Sequence, residues 1–149
     1  MRKILSWISV FLWMLLIFNL SSQVAEQSNQ LSTGITEIID NVVKKVDSNL
    51  DINLESLNHL VRKNAHFIAY LILGVLVFNA LRRSGTNRHM SFLLAQLICI
   101  VYAASDEIHQ MYVPGRSTQV TDVVIDSTGA FLGIVIYWCA SKMKNRKNT

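Results

Sequence analysis

Three short segments of this sequence combine acidic, basic and aromatic side chains that can bind a ligand or move a proton. Carboxylates and imidazoles act as general bases and acids, whereas Arg and Lys bind phosphate and carboxylate groups. The segments therefore predict two sets of site residues. The candidate catalytic residues are His66, Asp106, Glu107 and His109. The candidate binding residues are Arg62, Lys63, Tyr70, Gln110, Arg116, Asp122 and Asp126.

Helical spacing places several of these side chains together. Arg62, His66 and Tyr70 recur every four residues, so they would line one face of a helix. Asp106 and Glu107 are adjacent in the sequence and would point about 100° apart around a helix. The two acids therefore need not serve the same task.

Asp126 is unusual because it falls one turn inside an apolar segment. An ionised residue at the centre of a membrane costs about 2.5–3.5 kcal/mol, so Asp126 should face protein or trapped water. We expect its partner to be Arg62, Lys63, His66 or Arg116. The alternative interpretation of all three segments is a structural network of ion pairs that holds short helices together.

A metal site is a further alternative, because the two His and the carboxylates are possible ligands of zinc or manganese. Their spacing matches no recognised metal motif. Cys99 and Cys139 both lie in apolar segments and form no CxxC motif, so we interpret them as small apolar residues. We predict neither a metal nor a cofactor.

Four apolar segments must position these residues, at about 4–20, 65–81, 91–108 and 123–141. At about 1.5 Å per residue, each helix would just reach across a ~30 Å hydrocarbon layer or fall slightly short of it. A composition that is 51% hydrophobic and so clearly segmented does not fit an ordinary soluble core. We predict an all-α membrane protein, a four-helix transmembrane bundle in a single domain over residues 1–149.

The first apolar segment could instead be a secretory signal peptide. Its 17 residues, 4–20, exceed the usual ~7–15 of such a peptide. Gln23 also disrupts the small-x-small cleavage pattern in the residues that follow. We therefore favour an uncleaved membrane helix.

Charge divides between the two sides of the predicted spans. All ten acids lie in, or at the edge of, the second and fourth polar pieces, whereas the two tails and the loop 82–90 carry basic residues and no acid. Because Lys and Arg are retained in the cytoplasm, we predict that both termini are cytoplasmic and that the acidic pieces face outward. The net charge of +4 has this origin, and without a basic helix or an aromatic–basic motif it does not indicate nucleic-acid binding.

The second polar piece, residues 24–61, has an amphipathic pattern. Apolar residues recur at helical spacing from Leu31 to Val46, and a shorter stretch from Leu54 to Val61 leads into the second span. We predict an extracellular amphipathic helix that lies on the outer leaflet or over the bundle. A lid or a partner-binding segment is the alternative.

Two motifs contain glycine. Pro114-Gly115 predicts a turn between the third and fourth spans. Gly129 and Gly133 form a small-xxx-small pattern, which allows close approach of two helices in lipid. Helix packing is the favoured interpretation of the second motif.

The order of these motifs resembles that of the VanZ-like family of small bacterial membrane proteins. The motifs are Ser21-Ser22-Gln23 after an apolar span, Arg62-Lys63-x-x-His66-x-x-x-Tyr70, Asp106-Glu107-x-His109-Gln110, Pro114-Gly115-Arg116 and Asp122-x-x-x-Asp126-x-x-Gly129. The resemblance extends from about Ile4 to Ser141. The combination is specific, although each motif alone is weak.

The resemblance implies a multi-pass protein of the bacterial plasma membrane. The family's namesake is linked to resistance to teicoplanin and related lipoglycopeptides, but membership does not imply a defined reaction. We hypothesise an outward-facing site that binds or alters a cell-wall precursor, an envelope polymer or a lipoglycopeptide, in a protein surrounded by membrane lipids. The alternatives are a structural or interaction protein without its own chemistry, and an envelope hydrolase or transferase.

Overall fold

The computed structural model describes residues 1–23, 33–34, 54–114, 116 and 118–146, with only the backbone described for 54–59 and 143–146. It contains four helices, α1 (Arg2–Ser21), α2 (Leu54–Arg83), α3 (Arg88–Gln110) and α4 (Val120–Arg146). No strand occurs in the described ranges. The predicted all-α class is therefore confirmed.

All four helices are long and apolar enough to cross a membrane, over Arg2–Ser21, Leu60–Arg83, Arg88–Gln110 and Val120–Lys142. At about 1.5 Å per residue these stretches measure roughly 30–36 Å, which is sufficient for the hydrocarbon layer. The helices are longer than the apolar segments of the sequence, because the polar residues that flank each segment continue the helix.

The predicted amphipathic helix between the first two spans lies largely outside the described residues. Within that segment the structure describes residues 33–34, which are helical, and residues 54–61, which form the first turns of α2, continuous with the span that follows. The stretch that begins at Leu54 therefore leads directly into the membrane helix, as the sequence suggested.

The connection between α2 and α3 is a tight turn. Gly85 adopts a positive φ of 93°, which a residue with a side chain rarely adopts. Asn87 then caps α3, and its side chain accepts a hydrogen bond of 2.8 Å from the Met90 N–H. This turn makes α2 and α3 antiparallel neighbours.

Helix α2 is central, because it packs against each of the other three helices and most extensively against α4. Glycines bring these two backbones together. A Cβ added at Gly74, Gly129 or Gly133 would overlap a backbone carbonyl of the facing helix. The small-xxx-small motif of α4 therefore serves close helix packing, as predicted.

The core lies between these helices and is lined mainly by α2. Tyr70, Leu73 and Phe78 are fully buried there, and small side chains such as Ala95 and Cys99 of α3 pack against them. The outer surfaces of the helices expose large apolar side chains, most of all on α1. This distribution suits helices that contact lipid on one side and protein on the other.

The alternating helix directions create two distinct ends. Hydrogen bonds link Trp7 to Ser84 and Ser21 to Asp106, so the start of α1 lies near the end of α2, and the end of α1 lies near the end of α3. We call the end that contains Ser21, the first turns of α2 and α4 and the last turns of α3 the acidic end. The opposite end, which carries Arg2, Lys3, Arg82, Arg83, Arg88 and Lys142, is the basic end.

Candidate functional site

A narrow cleft opens at the acidic end, between α2, α3, α4 and the loop before α4. Its lining residues are Arg62, Lys63, His66, Glu107, Gln110, Arg116, Asp122, Ile125 and Asp126. The cleft holds about 450 Å³ of empty space out to its open mouth, but only about 30 Å³ is accessible to the centre of a water molecule. Since one water needs about 10–15 Å³ on this measure, the interior has room for about two waters. Any larger group must remain at the mouth.

Two buried carboxylates lie at or beside the floor of this cleft: Asp126 lines it, and Asp106 lies next to the lining residue Gln110. Asp106 is 4% exposed, and its Oδ2 accepts hydrogen bonds from Ser21 Oγ at 2.7 Å and from Gln110 Nε2 at 3.3 Å. Its Oδ1 is buried and has no hydrogen-bond partner among the described residues. Asp126 is 6% exposed and makes no hydrogen bond or ion pair within the described part of the chain. The floor therefore carries acceptor oxygens that the described fold does not use, although buried polar groups are normally paired.

Several charged groups near the floor lie within electrostatic range of one another. Asp126 lies within electrostatic range of Asp106, Asp122 and Glu107, which repel its negative charge, and of Lys63, which attracts it. His66 senses Asp106 most strongly among its charged neighbours. His66 therefore has both carboxylates, Asp106 and Asp122, and cations, Arg62 and Arg116, within electrostatic range.

The cations at the rim differ in how they are used. Lys63 Nζ forms an ion pair with Asp122 Oδ1 at 2.7 Å and also approaches Gln119 Oε1 at 3.3 Å. Glu107 is engaged too, because its Oε1 accepts a hydrogen bond of 2.6 Å from the Gln119 backbone N–H. Arg62, by contrast, has no ion-pair partner among the described residues. It is the rim cation with the most freedom to bind an external anion.

Arg116 acts as a clamp at the end of α1. Its Nε donates to the Gln23 carbonyl at 3.1 Å, its Nη2 to the Leu20 carbonyl at 3.0 Å, and its Nη1 to Gln110 Oε1 at 3.1 Å. The last carbonyls of a helix lack partners within the helix and attract positive charge. Burial first, and then the charge of Arg62, lower the pKa of the Arg116 guanidinium, but an arginine remains protonated in proteins. Much of its donor capacity is thus committed to the fold.

Three of the sequence-predicted residues, Tyr70, His109 and Asp106, do not line the cleft. Tyr70 is completely buried below the floor, and its hydroxyl has no hydrogen-bond partner in the described ranges. His109 faces α1, where its Nε2 lies 3.1 Å from Ser22 Oγ and its ring stacks on Phe18 with centroids 4.5 Å apart. Asp106 touches the cleft through its neighbour Gln110 rather than lining it.

The structure brings the remaining predicted residues together around one opening. These are Arg62, Lys63, His66, Glu107, Gln110, Arg116, Asp122 and Asp126. Asp126, whose partner we expected among four basic residues, is instead near Lys63 without bonding to it. Among the described residues, no three His, Cys, Asp or Glu side chains converge as a metal site would require.

Sequence reasoning missed two residues that organise the site. Ser21 was not among the predicted site residues, yet it is fully buried and donates a hydrogen bond to the Asp106 carboxylate. Gln119 connects Glu107 to Lys63. The available signal for Ser21 was its place in the motif that follows the first span, because spacing alone cannot relate positions 85 residues apart.

These features define a class, namely a multi-pass helical membrane protein with a polar site at one end of its bundle. The family follows from sequence comparison, since the model of the VanZ/LLP1 family matches residues 6–141. The chain belongs to the VanZ/LLP1 family, as its motifs suggested. No curated protein and no solved structure matches the chain in the corresponding searches.

Proposed function

We propose that this protein resides in the bacterial plasma membrane and uses its cleft to bind an anionic group of an envelope component. The component is a cell-wall precursor, an envelope polymer or a lipoglycopeptide, and its binding changes susceptibility to teicoplanin-type drugs. One observation carries this proposal. Arg62 lines the cleft without an ion-pair partner among the described residues, whereas Lys63 is paired and Arg116 is committed to the end of α1.

The chemistry of Arg62 supports an anionic ligand. A guanidinium presents its donors in a planar fork that fits phosphate and carboxylate groups. The cleft is narrow inside and open at its mouth, so a large envelope molecule would insert only its charged group. This arrangement is that of a binding site for the headgroup or terminus of a larger molecule.

The orientation of the bundle is part of the same proposal. The basic end carries Arg82, Arg83, Arg88 and Lys142 without an acid, which favours a cytoplasmic location for that end. The cleft would then open toward the outer surface, where lipoglycopeptides and envelope precursors are found. Reporter fusions test this directly, and a reporter in the loop 24–61 that proves cytoplasmic would reverse the orientation.

A structural role is the second candidate, and a specific observation favours it. Arg116 and Ser21 both link α1 to the rest of the bundle through contacts that span more than 80 positions of sequence. A protein whose polar residues serve only this purpose would show lost phenotypes in proportion to lost abundance. Arg62 separates the two candidates, because no described contact assigns it a structural task.

An envelope hydrolase or transferase is a third candidate. Ser21 and Gln110 fix the Asp106 carboxylate, and His66 lies within its electrostatic range. A carboxylate that orients an imidazole is a common arrangement for a general base. Turnover of a lipid-linked phosphate or peptide by the purified protein, lost in His66→Ala, would favour this function over binding alone.

The decisive experiment expresses the protein in a host that lacks it and measures teicoplanin susceptibility and binding of labelled drug to the cell surface. We expect Arg62→Gln to abolish the effect of expression while membrane abundance remains normal. Arg83→Gln is the matched control, because this exposed arginine at the basic end bonds within its own helix to Asn79. An unchanged phenotype in Arg62→Gln at normal abundance would contradict the proposed site.

A further inference from the structure

The internal contacts of the cleft leave two of its charged groups unpaired among the described residues. Lys63 is paired with Asp122, Glu107 accepts a backbone N–H, and Arg116 is engaged with carbonyls. Two unlike groups then remain without a described partner, namely Arg62 at the rim and Asp126 at the floor.

The two remaining groups lie at different depths. Arg62 precedes His66 by one turn on α2 and lies nearer the end of the bundle, and Asp126 follows Asp122 by one turn on α4 and lies deeper. Asp126 is more than nine-tenths buried and lines the cleft. The neighbouring Asp106 adds a second buried oxygen, its Oδ1, that lacks a described partner. The unpaired cation therefore lies nearer the mouth, and the unpaired carboxylate lies deeper.

We propose, as an extension of the proposed function, that the ligand is zwitterionic and carries a primary ammonium next to a phosphate or carboxylate. The ammonium enters the cleft and binds Asp126, and the anionic group stays at the mouth and binds Arg62. This assignment rests on the function proposed above, because it concerns the same cleft and the same arginine.

The size of the interior agrees with this arrangement. The space below the mouth accommodates about two waters, which suits a group as small as an ammonium and not a phosphate. A purely anionic ligand would also place negative charge above Asp106, Glu107, Asp122 and Asp126, which already repel one another. An ammonium removes that repulsion and donates up to three hydrogen bonds to unused carboxylate oxygens.

The lining also distinguishes a primary ammonium from a quaternary one. Quaternary ammonium groups are bound by aromatic cages, and no Phe, Tyr or Trp is among the residues that line this cleft. A bare metal ion fits poorly as well, since no three ligands converge in the described part of the chain. A phosphoethanolamine-type group offers an ammonium to Asp126 at the floor and a phosphate to Arg62 at the rim.

A group with a primary ammonium next to a phosphate can belong to a lipid headgroup or to a small soluble molecule. One experiment distinguishes the two. The full-length protein is placed in phosphatidylcholine nanodiscs that contain equal small amounts of phosphatidylethanolamine and phosphatidylglycerol. Lipids that remain bound are then quantified by native mass spectrometry. In a parallel series, soluble O-phosphoethanolamine is added and its binding is measured by calorimetry.

We expect wild-type protein to prefer the ethanolamine-bearing ligand over its glycerol and choline counterparts by about tenfold or more, as a charge-assisted hydrogen bond would give. Asp126→Asn, which keeps the shape of the side chain, should remove this preference while binding of the phosphate group remains. Asp126→Glu should keep the preference. Arg62→Gln should weaken binding of every phosphate ligand, and Arg83→Gln should change nothing.

The outcomes separate this inference from the function on which it rests. Equal, Arg62-dependent binding of ethanolamine and glycerol headgroups would overturn the zwitterionic ligand and leave the anion site intact. Absence of any Arg62-dependent binding would overturn both. Asp126-dependent binding of soluble O-phosphoethanolamine without lipid selectivity would support the inference and identify a soluble source.

Discussion

The two ends of the bundle satisfy their polar groups in different ways. At the basic end the partners are neighbours at the surface, such as Trp7 Nε1 with Ser84 Oγ at 3.0 Å and Arg83 Nε with Asn79 Oδ1 at 3.0 Å. At the acidic end the corresponding bond between distant parts of the chain is buried, as it is between Ser21 and Asp106. Moreover, buried acceptors remain there without described partners.

The contrast shows which end keeps buried polar atoms that its described contacts do not use. A polar group that is already paired at the surface has little left to offer a ligand. Buried carboxylate oxygens that stay unpaired cost free energy, and proteins retain such groups mainly at functional sites. The difference between the ends therefore supports a site at the acidic end independently of family membership.

The largest expected difference concerns two glycines. A Cβ at Gly129, on the acidic half of α4, would overlap the Phe67 carbonyl, so Gly129→Ala must push α2 and α4 apart. We expect a loss of about 3 kcal/mol or more in the free energy of unfolding. Gly85→Ala at the basic end meets open space and only strains the backbone at φ 93°, at a cost of about 1–2 kcal/mol.

Denaturant titration of the purified variants in detergent micelles measures both losses. If Gly85→Ala proved the more damaging of the two, the close packing of α2 against α4 would not be the principal constraint on this fold. Gly74→Ala serves as a further control, because a Cβ there would overlap the Ala130 carbonyl in the same interface.

Two arginines provide the next comparison. Arg116→Ala removes hydrogen bonds to Leu20, Gln23 and Gln110 and should lower the free energy of unfolding by about 2–3 kcal/mol. Arg88 at the basic end lies 5.8 Å from the centroid of the Trp138 ring, and Arg88→Ala should cost about 0.5–1 kcal/mol.

Thermal unfolding of both variants, together with their abundance in membranes, tests this ranking. Arg116→Lys should recover little of the lost stability, because an ammonium cannot reproduce the planar fork. Full recovery by Lys would mean that charge alone holds the end of α1 and that the three directed bonds are dispensable.

Much of the molecule follows from the sequence, and the reason is local periodicity. The four helices were predictable because each apolar segment is long, and the Gly129-x-x-x-Gly133 motif correctly indicated close packing. The convergence of Arg62, His66 and Asp126 followed from their placement on the same side of the predicted spans. The position of these residues along the spans, together with the distribution of charge between the two sides, was therefore enough to predict which residues lie near the site.

The contact partners of the individual side chains near the site were not predictable. Arg116 was expected to hold a ligand, yet it donates to carbonyls of α1, and His109 faces Phe18 rather than the cleft. Rotation of each helix about its axis decides such contacts, and a few tens of degrees exchange one partner for another. Composition and spacing constrain depth well, but they constrain this rotation only weakly.

Two fully buried serines give a smaller difference. Ser21 Oγ donates to the Asp106 carboxylate at 2.7 Å, whereas Ser91 Oγ donates to the Thr86 carbonyl at 3.3 Å at the basic end. Ser21→Ala should cost about 2 kcal/mol and Ser91→Ala about 1 kcal/mol, since bonds to charged groups are the stronger ones. Denaturant titration resolves this difference, and equal losses would indicate that Asp106 is uncharged.

The smallest expected effect comes from the ion pair of Lys63 and Asp122, whose side chains are 23% and 26% exposed. Such a pair contributes about 0.2–1 kcal/mol and is screened by salt, so the cost of Lys63→Met should shrink as salt is added. The matched change at the basic end is Trp7→Phe, which removes the bond to Ser84. This loss should not depend on salt, because both partners are neutral.

Since Asp122 already neutralises Lys63, drug susceptibility should also change far less in Lys63→Met than in Arg62→Gln. Equal phenotypes in these two variants would mean that the rim acts through its total charge, and the contrast between a paired and an unpaired cation would lose its functional meaning.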